Sequence, residues 1–182
     1  MNARSKRAEE VTAANPPSAF EPVFHAYYDR TARLIARLVR DPARAEELAV
    51  EVFWRLWRNP QAHGEAVGGW LYRTAVRAGL YELRRQSRRA SLEHLLHFGS
   101  GQSTPEDLHA ANQAQEHVRR VLARMSPRQA ELLLLRSQDL TYAEIALALN
   151  MNPASVGTLL SRAQEAFGKE YLKLYGPKKI TR

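Results

Sequence analysis

Residues 140–163, LTYAEIALALNMNPASVGTLLSRA, constrain this chain more than any other stretch. They read as two helices joined by a tight turn. Thr141 stands where it can cap the first helix, and Glu144 three residues later completes a capping box. Ile145, Leu147 and Leu149 supply the apolar content of that helix, and three alanines keep it slim. In the turn Asn150-Met151-Asn152, asparagine tolerates a left-handed backbone, and Asn152 can cap the second helix. Pro153 then falls at the first helical position, where its missing N–H costs nothing. Val156, Leu159, Leu160 and Ala163 recur at helical spacing and give the second helix a face to bury. A short helix, a turn and a second helix make a helix-turn-helix, whose second helix fits a DNA major groove. The same pattern also describes an ordinary helical hairpin, so the rest of the chain has to decide between them.

The charge balance favours an anionic partner. The chain has 182 residues, 27 Lys and Arg against 19 Asp and Glu, and a formal net charge of +8. Such an excess of base is the electrostatic footprint of nucleic-acid binding, with a membrane surface as the other candidate. Cysteine is absent, which excludes a disulfide framework, a thiolate nucleophile and a cysteine zinc site. No apolar run approaches the roughly 20 residues of a membrane span, and the polar N-terminus lacks the apolar centre of a signal peptide. The expectation is a cytoplasmic protein without membrane insertion.

Upstream, residues 1–19 are polar and end in Asn15-Pro16-Pro17-Ser18, and a disordered tail is expected there. A first helix is expected over residues 20–40, with an apolar stripe of Phe20, Val23, Phe24, Tyr27, Leu34, Ile35 and Leu38. Asp41 and Pro42 then break the chain and start a second helix. This helix has the clearest periodicity: Ala45, Leu48, Ala49, Val52, Phe53, Leu56 and Trp57 recur on one face. Trp54 falls outside that face, so it either packs on a neighbouring helix or is exposed for a partner. Residues 59–69, with Pro60, Gly64, Gly68 and Gly69, read as a loop.

Residues 70–90, WLYRTAVRAGLYELRRQSRRA, form an arginine-rich helix. Arg73, Arg77, Arg84, Arg85, Arg88 and Arg89 stand against a single Glu82, interleaved with Trp70, Tyr72 and Tyr81. Guanidinium groups pair with phosphates, and aromatic rings beside them stack on unpaired bases. A solvated basic face over an aromatic core is the alternative. Residues 93–111 then read as a flexible linker around Gly99-Ser100-Gly101-Gln102-Ser103-Thr104-Pro105. His94 and His97 lie near its start without further ligands at metal-binding spacing, so no metal and no cofactor are expected. Thr104 or Asp107 can cap a helix running to Arg124. Ser126-Pro127-Arg128-Gln129 starts another, whose residues 130–135 should be buried. The last helix extends through Phe167, Tyr171 and Leu174 to the stop at Gly176-Pro177, leaving a basic tail over 176–182.

No strand pattern persists, so the expected fold class is all-α: two small helical domains, 20–92 and 112–175, joined by the linker. This order of blocks resembles the bacterial RNA polymerase sigma factors of the extracytoplasmic-function type. The residues that carry the resemblance are AEELAVEVFWRLW (45–57), WLYRTAVRAGLYELRR (70–85) and MSPRQAELLLLRSQDLTYAEIALALNMNPASVGTLLSRA (125–163). The resemblance implies a sigma region 2-like helical bundle followed by a sigma region 4-like helix-turn-helix. It implies that Glu47, Glu51, Phe53 and Trp57 dock on the clamp helices of the polymerase largest subunit or support that docking. It implies that the arginine-rich helix melts and reads the −10 promoter element through Arg73, Arg77, Tyr81, Arg84, Arg85 and Arg88. The helix from Pro153 would read the −35 element with Ser155, Thr158, Ser161 and Arg162. Core RNA polymerase, promoter DNA and an anti-sigma factor are the partners so implied.

The chain departs from the family pattern at several positions. Family members often carry an asparagine and an aspartate where this chain has Arg77 and Tyr81, and a glutamine at Val50. Positions often basic in the recognition helix are Gly157 and Leu159, so residues 153–161 hold no charge. Duplex contact there should rest on Arg162, hydroxyls and helix-terminal N–H groups, with a shallow salt dependence.

Two other readings compete. A stand-alone dimeric helix-turn-helix regulator would bind symmetric half-sites. An enzyme would need His25, Asp29, Glu46 or Glu47 as acid–base groups, but no nucleophile elbow, phosphate loop or metal motif accompanies them.

Overall fold

The structure is a computed structural model that describes residues 17–62, 64, 66–96 and 109–177. Seven α-helices follow one another among these residues: α1 (Pro17–Leu38), α2 (Pro42–Trp57), α3 (Val67–Leu96), α4 (His109–Arg124), α5 (Pro127–Arg136), α6 (Tyr142–Leu149) and α7 (Pro153–Tyr175). A single 3-10 turn, Pro60–Ala62, joins α2 to α3. No described residue lies in a strand. No helix among the described residues is long and apolar enough to cross a membrane. The 1–16 tail, most of the 93–111 linker and the end of the basic tail lie outside the described residues.

Local chemistry sets the helix ends. The Asp41 carboxylate accepts from the N–H groups of Ala43 (3.0 Å) and Arg44 (3.4 Å), capping α2. Ser126 accepts from Gln129 N–H at the start of α5, again with proline at the first helical position. The Thr141–Glu144 capping box forms, with both reciprocal hydrogen bonds present. Asn150 adopts the left-handed conformation (φ 50°, ψ 63°) that ends α6, and Asn152 caps α7 by accepting from Ala154 N–H at 2.9 Å.

Three boundaries differ from the sequence expectation. Helix α1 starts at Pro17, taking Pro17 and Ser18 into its first turn. Helix α3 runs on to Leu96, because nothing between Ala90 and Leu96 breaks it. It also begins earlier, so Gly68 and Gly69 are helical rather than part of a loop. Close packing explains those glycines: a Cβ at Gly68 would stand 3.0 Å from the Tyr27 ring, and one at Gly69 would stand 3.3 Å from the Ala148 Cβ.

Helices α1, α2 and α3 pack together, and α5, α6 and α7 pack together with α4 against α7. The first group buries Leu34, Ile35, Val52, Leu56, Leu71 and Val76. The second buries Val121, Leu132, Leu135, Ile145, Val156 and Leu160. An aromatic cluster closes one side of the first group, with Phe24 5.1 Å from Phe53 and Phe20 5.0 Å from Trp57, both edge-on. The two groups do not stand apart. Helix α3 packs against α4, α5 and α6, and the buried apolar residues form one continuous cluster.

Candidate nucleic-acid and polymerase interfaces

Three surfaces carry the residues singled out by sequence. The first is the outer face of α2. Its inner face is apolar and fully used, so only residues off that stripe reach solvent. Phe53 is 2% exposed and lies among Phe20, Phe24 and Tyr28, so it holds the helix from beneath rather than touching a partner. Trp57 is 37% exposed and rests edge-on against Phe20. Glu47 and Glu51 are exposed and share Arg44, at 2.8 and 3.5 Å. Glu51 also faces Arg55 at 3.7 Å. Trp54, left open by sequence, is 59% exposed, and Val50 beside it is exposed as well. An apolar strip flanked by acids and arginines therefore crosses the face of α2.

The second surface is the arginine stripe of α3. Arg73, Arg77, Arg84 and Arg88 recur at helical spacing on one side, with Tyr81 at its flank. Tyr81 is 67% exposed, and Arg85 and Arg88 are exposed. Tyr72, by contrast, is buried beneath Arg30, whose guanidinium lies 5.3 Å from the ring centre, so it is unavailable for stacking on a base. Trp70 is half-buried. Arg85 is tied to the buried Glu82 at 2.9 Å, and Gln86 joins the same carboxylate at 3.2 Å. Burial pushes the Glu82 carboxyl up, but hydrogen bonding and charge from Arg85, with Gln86 and Arg44, outweigh it and hold Glu82 below the usual carboxylate range.

Three arginines of the stripe reach across to the second helical group. Arg73 donates to the Ala148 carbonyl at 2.6 Å. Arg77 makes a two-pronged pair with Glu131, at 3.0 and 3.3 Å. Arg84 donates to the carbonyls of Ala123 (3.4 Å) and Met125 (3.3 Å). Burial lowers the pKa of Arg73, and Arg77 adds to that shift; burial also lowers Arg84. Sequence reasoning missed Glu131 altogether. The signal was there: one acid inside the apolar run 130–135 needs a partner once the run is buried.

The third surface is the outer face of α7. Val156, Leu160 and Ala163 fill the inner face. Ser155, Thr158, Ser161 and Arg162 are all exposed on the other side. The helix starts at a proline behind an asparagine cap, leaving its N-terminal end clear to approach a phosphate. In α6, Leu147 is exposed, while Ile145, Ala146, Ala148 and Leu149 carry the packing. No group of three or more His, Cys, Asp or Glu side chains among the described residues is arranged to hold a metal ion.

Comparison with known proteins agrees with this arrangement of parts. Residues 23–89 match the family model for sigma-70 region 2, and residues 115–166 match that for sigma-70, region 4. The chain is 32% identical to the ECF RNA polymerase sigma factor SigK of Mycolicibacterium vanbaalenii, across 73% of this chain and 74% of that protein. It is 27% identical to a SigK from Mycobacterium sp. (strain KMS), at 73% and 75% coverage. Among solved structures, the sigma factor RpoE of Bartonella quintana, crystallised with the anti-sigma factor NepR, shares the fold, with a TM-score of 0.53 and 17% identity over 86% of this chain and 98% of that one. The α2 and α3 surfaces thus lie within a region 2 unit, the α7 surface lies within a region 4 unit, and the chain belongs to the extracytoplasmic-function (ECF) family of RNA polymerase sigma factors.

Proposed function

We propose that this chain binds core RNA polymerase through α2 and directs it to promoters, with α3 opening and reading the −10 element and α7 reading the −35 element. One observation supports the division of labour: the chain presents two surfaces of different chemistry, an arginine stripe on α3 and a hydroxyl-rich face on α7. The α3 stripe sets arginines beside the exposed Tyr81, which suits a melted strand with unstacked bases. The α7 face offers hydroxyls and one arginine on a helix that fits a duplex groove. Two unlike surfaces on one chain fit an asymmetric promoter rather than a palindrome. Linking them raises the effective concentration of the second contact once the first has formed.

The α2 face fits the clamp helices of the polymerase largest subunit, with Trp54, Val50 and Trp57 as apolar anchors and Glu47 and Glu51 at the rim. In this reading the chain works in the cytoplasm, has no catalysis of its own and is open to control by an anti-sigma factor. The two units span residues 20–92 and 112–175, with the intervening segment as the tether. The deciding experiment is a titration of the purified chain against bacterial core RNA polymerase without DNA. Saturable one-to-one binding is expected. A folded chain that fails to bind, and that footprints symmetric half-sites by itself, would overturn the proposal in favour of a dimeric regulator.

A further inference from the structure

One face of α3 and one face of α4 line the same space, with the same spacing and different character. On α3 the face reads Leu83, Gln86, Ser87, Ala90 and Ser91; on α4 it reads Glu116, Arg119, Arg120, Ala123 and Arg124. Both follow i, i+3, i+4, i+7, i+8, so each set lies along one side of its helix. Short side chains on α3 and long ones on α4 leave room between the helices, and a cavity of about 690 Å³ opens to solvent there. Arg40, just past α1, and Leu174 and Tyr175, at the end of α7, close its other sides. That volume falls in the range of small-molecule sites. None of the cavity's arginines belongs to the three surfaces described above.

Charge in the cavity is unbalanced. Arg40, Arg119, Arg120 and Arg124 line it, and among the lining residues Glu116 is the one carboxylate. Arg40 and Arg120 share Glu116, each with its Nε at 3.0 Å. Burial pushes the Glu116 carboxyl up, but hydrogen bonding and charge from Arg40 and Arg120 outweigh it and hold Glu116 below the usual carboxylate range. Arg119 is held in place by the carbonyls of Arg37 (2.8 Å) and Ala36 (3.4 Å), which add no full negative charge. Arg124 approaches Glu170 at 3.6 Å, a carboxylate that Lys173 also approaches, at 3.9 Å. Arg40, Arg120 and Arg124 keep more than half of their side chains exposed, so donors remain for a ligand. The Tyr175 hydroxyl is buried beside Arg120, and no hydrogen bond of good geometry satisfies it. His117 stacks on the Tyr175 ring at 3.7 Å and fixes its position.

We propose that this cavity binds a nucleoside polyphosphate, with its phosphates on Arg40, Arg120 and Arg124 and its base against the apolar wall of Leu83, Ala123 and Leu174. Guanidinium groups take phosphate oxygens in two-pronged pairs, and gathered like charges are relieved by a multivalent anion between them. A single phosphate carries about two negative charges, fewer than the cluster can accept, whereas a chain of phosphates spans several arginines at once. The Tyr175 hydroxyl supplies a further donor, and Ser87 brings a hydroxyl to the wall that faces the sugar. A nucleic-acid strand fits less well: it needs a groove that continues, and this cavity is closed by Arg40 and the end of α7. The site stands apart from the promoter-reading roles proposed above.

The experiment is an isothermal titration of the full chain with ATP, inorganic tripolyphosphate and adenosine at fixed ionic strength. It compares the native chain with Arg120→Gln/Arg124→Gln, with Tyr175→Phe, and with Arg55→Gln/Arg58→Gln as a control for the same charge change on α2. Circular dichroism checks each fold. The native chain should bind one ATP with a Kd of about 10–100 μM, tripolyphosphate about tenfold more weakly, and adenosine not measurably. The Arg120/Arg124 pair of substitutions should weaken ATP binding by at least about tenfold, Tyr175→Phe by about threefold, and the α2 control by less than about twofold. ATP should also raise the thermal midpoint of the native chain and leave that of the Arg120/Arg124 variant in place. No saturable ATP binding to the folded native chain, or equal loss in the Arg120/Arg124 variant and the α2 control, would overturn the site. Tripolyphosphate binding as tight as ATP binding would overturn the placement of the base on the apolar wall. Binding of a random single-stranded DNA 20-mer that falls in the Arg120/Arg124 variant as far as ATP binding does would give these arginines to DNA and overturn the proposal.

Discussion

Replacing Trp54 with alanine separates docking from folding, because this tryptophan is exposed on a helix whose other face is buried. A tryptophan side chain offers up to about 250 Å² of contact area. With 59% of Trp54 exposed, roughly 150 Å² is available to a partner, a ceiling of about 3.7 kcal/mol at ~25 cal/mol per Å². Binding never recovers the whole of that figure, because side-chain ordering and imperfect desolvation subtract from it. A central aromatic anchor typically yields about 2 kcal/mol, so Trp54→Ala should weaken core polymerase binding by about 30-fold. Stability should change by no more than about 0.5 kcal/mol, as is usual for an exposed site. Trp57→Ala should lower stability as well as binding. That ring is only 37% exposed and packs on Phe20, so its loss should destabilise the fold by roughly 3 kcal/mol. The assay is an isothermal titration against core polymerase, with thermal unfolding of each variant alongside. A loss of less than about threefold for a fully folded Trp54→Ala chain would refute the placement of the docking face on α2.

Packing, capping and pH give three further tests. A Cβ at Gly79 would stand 2.7 Å from the Leu38 Cδ1, whereas one at Gly168 would meet nothing within 4 Å. Gly79→Val should therefore lose roughly 1–3 kcal/mol in denaturant titrations, while Gly168→Ala gains up to about 1 kcal/mol from helix propensity. Thr141→Ala removes half of the α6 capping box and should cost about 1 kcal/mol, seen as earlier loss of helical signal on heating. Glu82 has a folded pKa below the ordinary glutamate value of 4.5, so its stabilising contribution is complete above that value and fades as pH falls through the lower folded one. Thermal midpoints should thus drop in acid below about pH 4, and Glu82→Gln should be less stable at neutral pH with a flatter acid limb. A variant with an unchanged acid limb would show that this carboxylate is not a source of the acid sensitivity.

What the sequence made legible was local. The helix-turn-helix could be read because its punctuation acts over three or four residues: Thr141 with Glu144, Asn150 in a left-handed turn, and Asn152 before Pro153. The apolar stripe of α2 could be read for the same reason, since its spacing is intrinsic to one helix. What escaped was set by contacts distant in sequence. Gly68 and Gly69 looked like loop residues because glycine marks both turns and close approaches, and only the positions of Tyr27 and Ala148 distinguish the two. Leu147 counted toward the apolar content of its helix, but it lies exposed on the outer side of a one-sided helix. The arginines of α3 were recognised as a basic stripe, yet nothing near them in sequence announces Glu131 or the Ala148 carbonyl as their partners. Phe53 shows a related limit. The resemblance marked its helix as a docking element, but burial decides which of its residues can touch a partner.

The contact between Gly69 and Ala148 has a consequence for how such a chain can change over generations. Both residues are helical and carry no polar or charged side chain, so what they contribute is their size. Their smallness sets how closely α6 can approach α3. Each added methyl group at either site would push the two helices apart by a small step, like turns of a set-screw. Mutation at either site in this way adjusts the fit between the two helical groups while leaving every charged and hydroxyl-bearing side chain in place. Two of the least conspicuous residues of the chain thus set how closely its two helical groups pack.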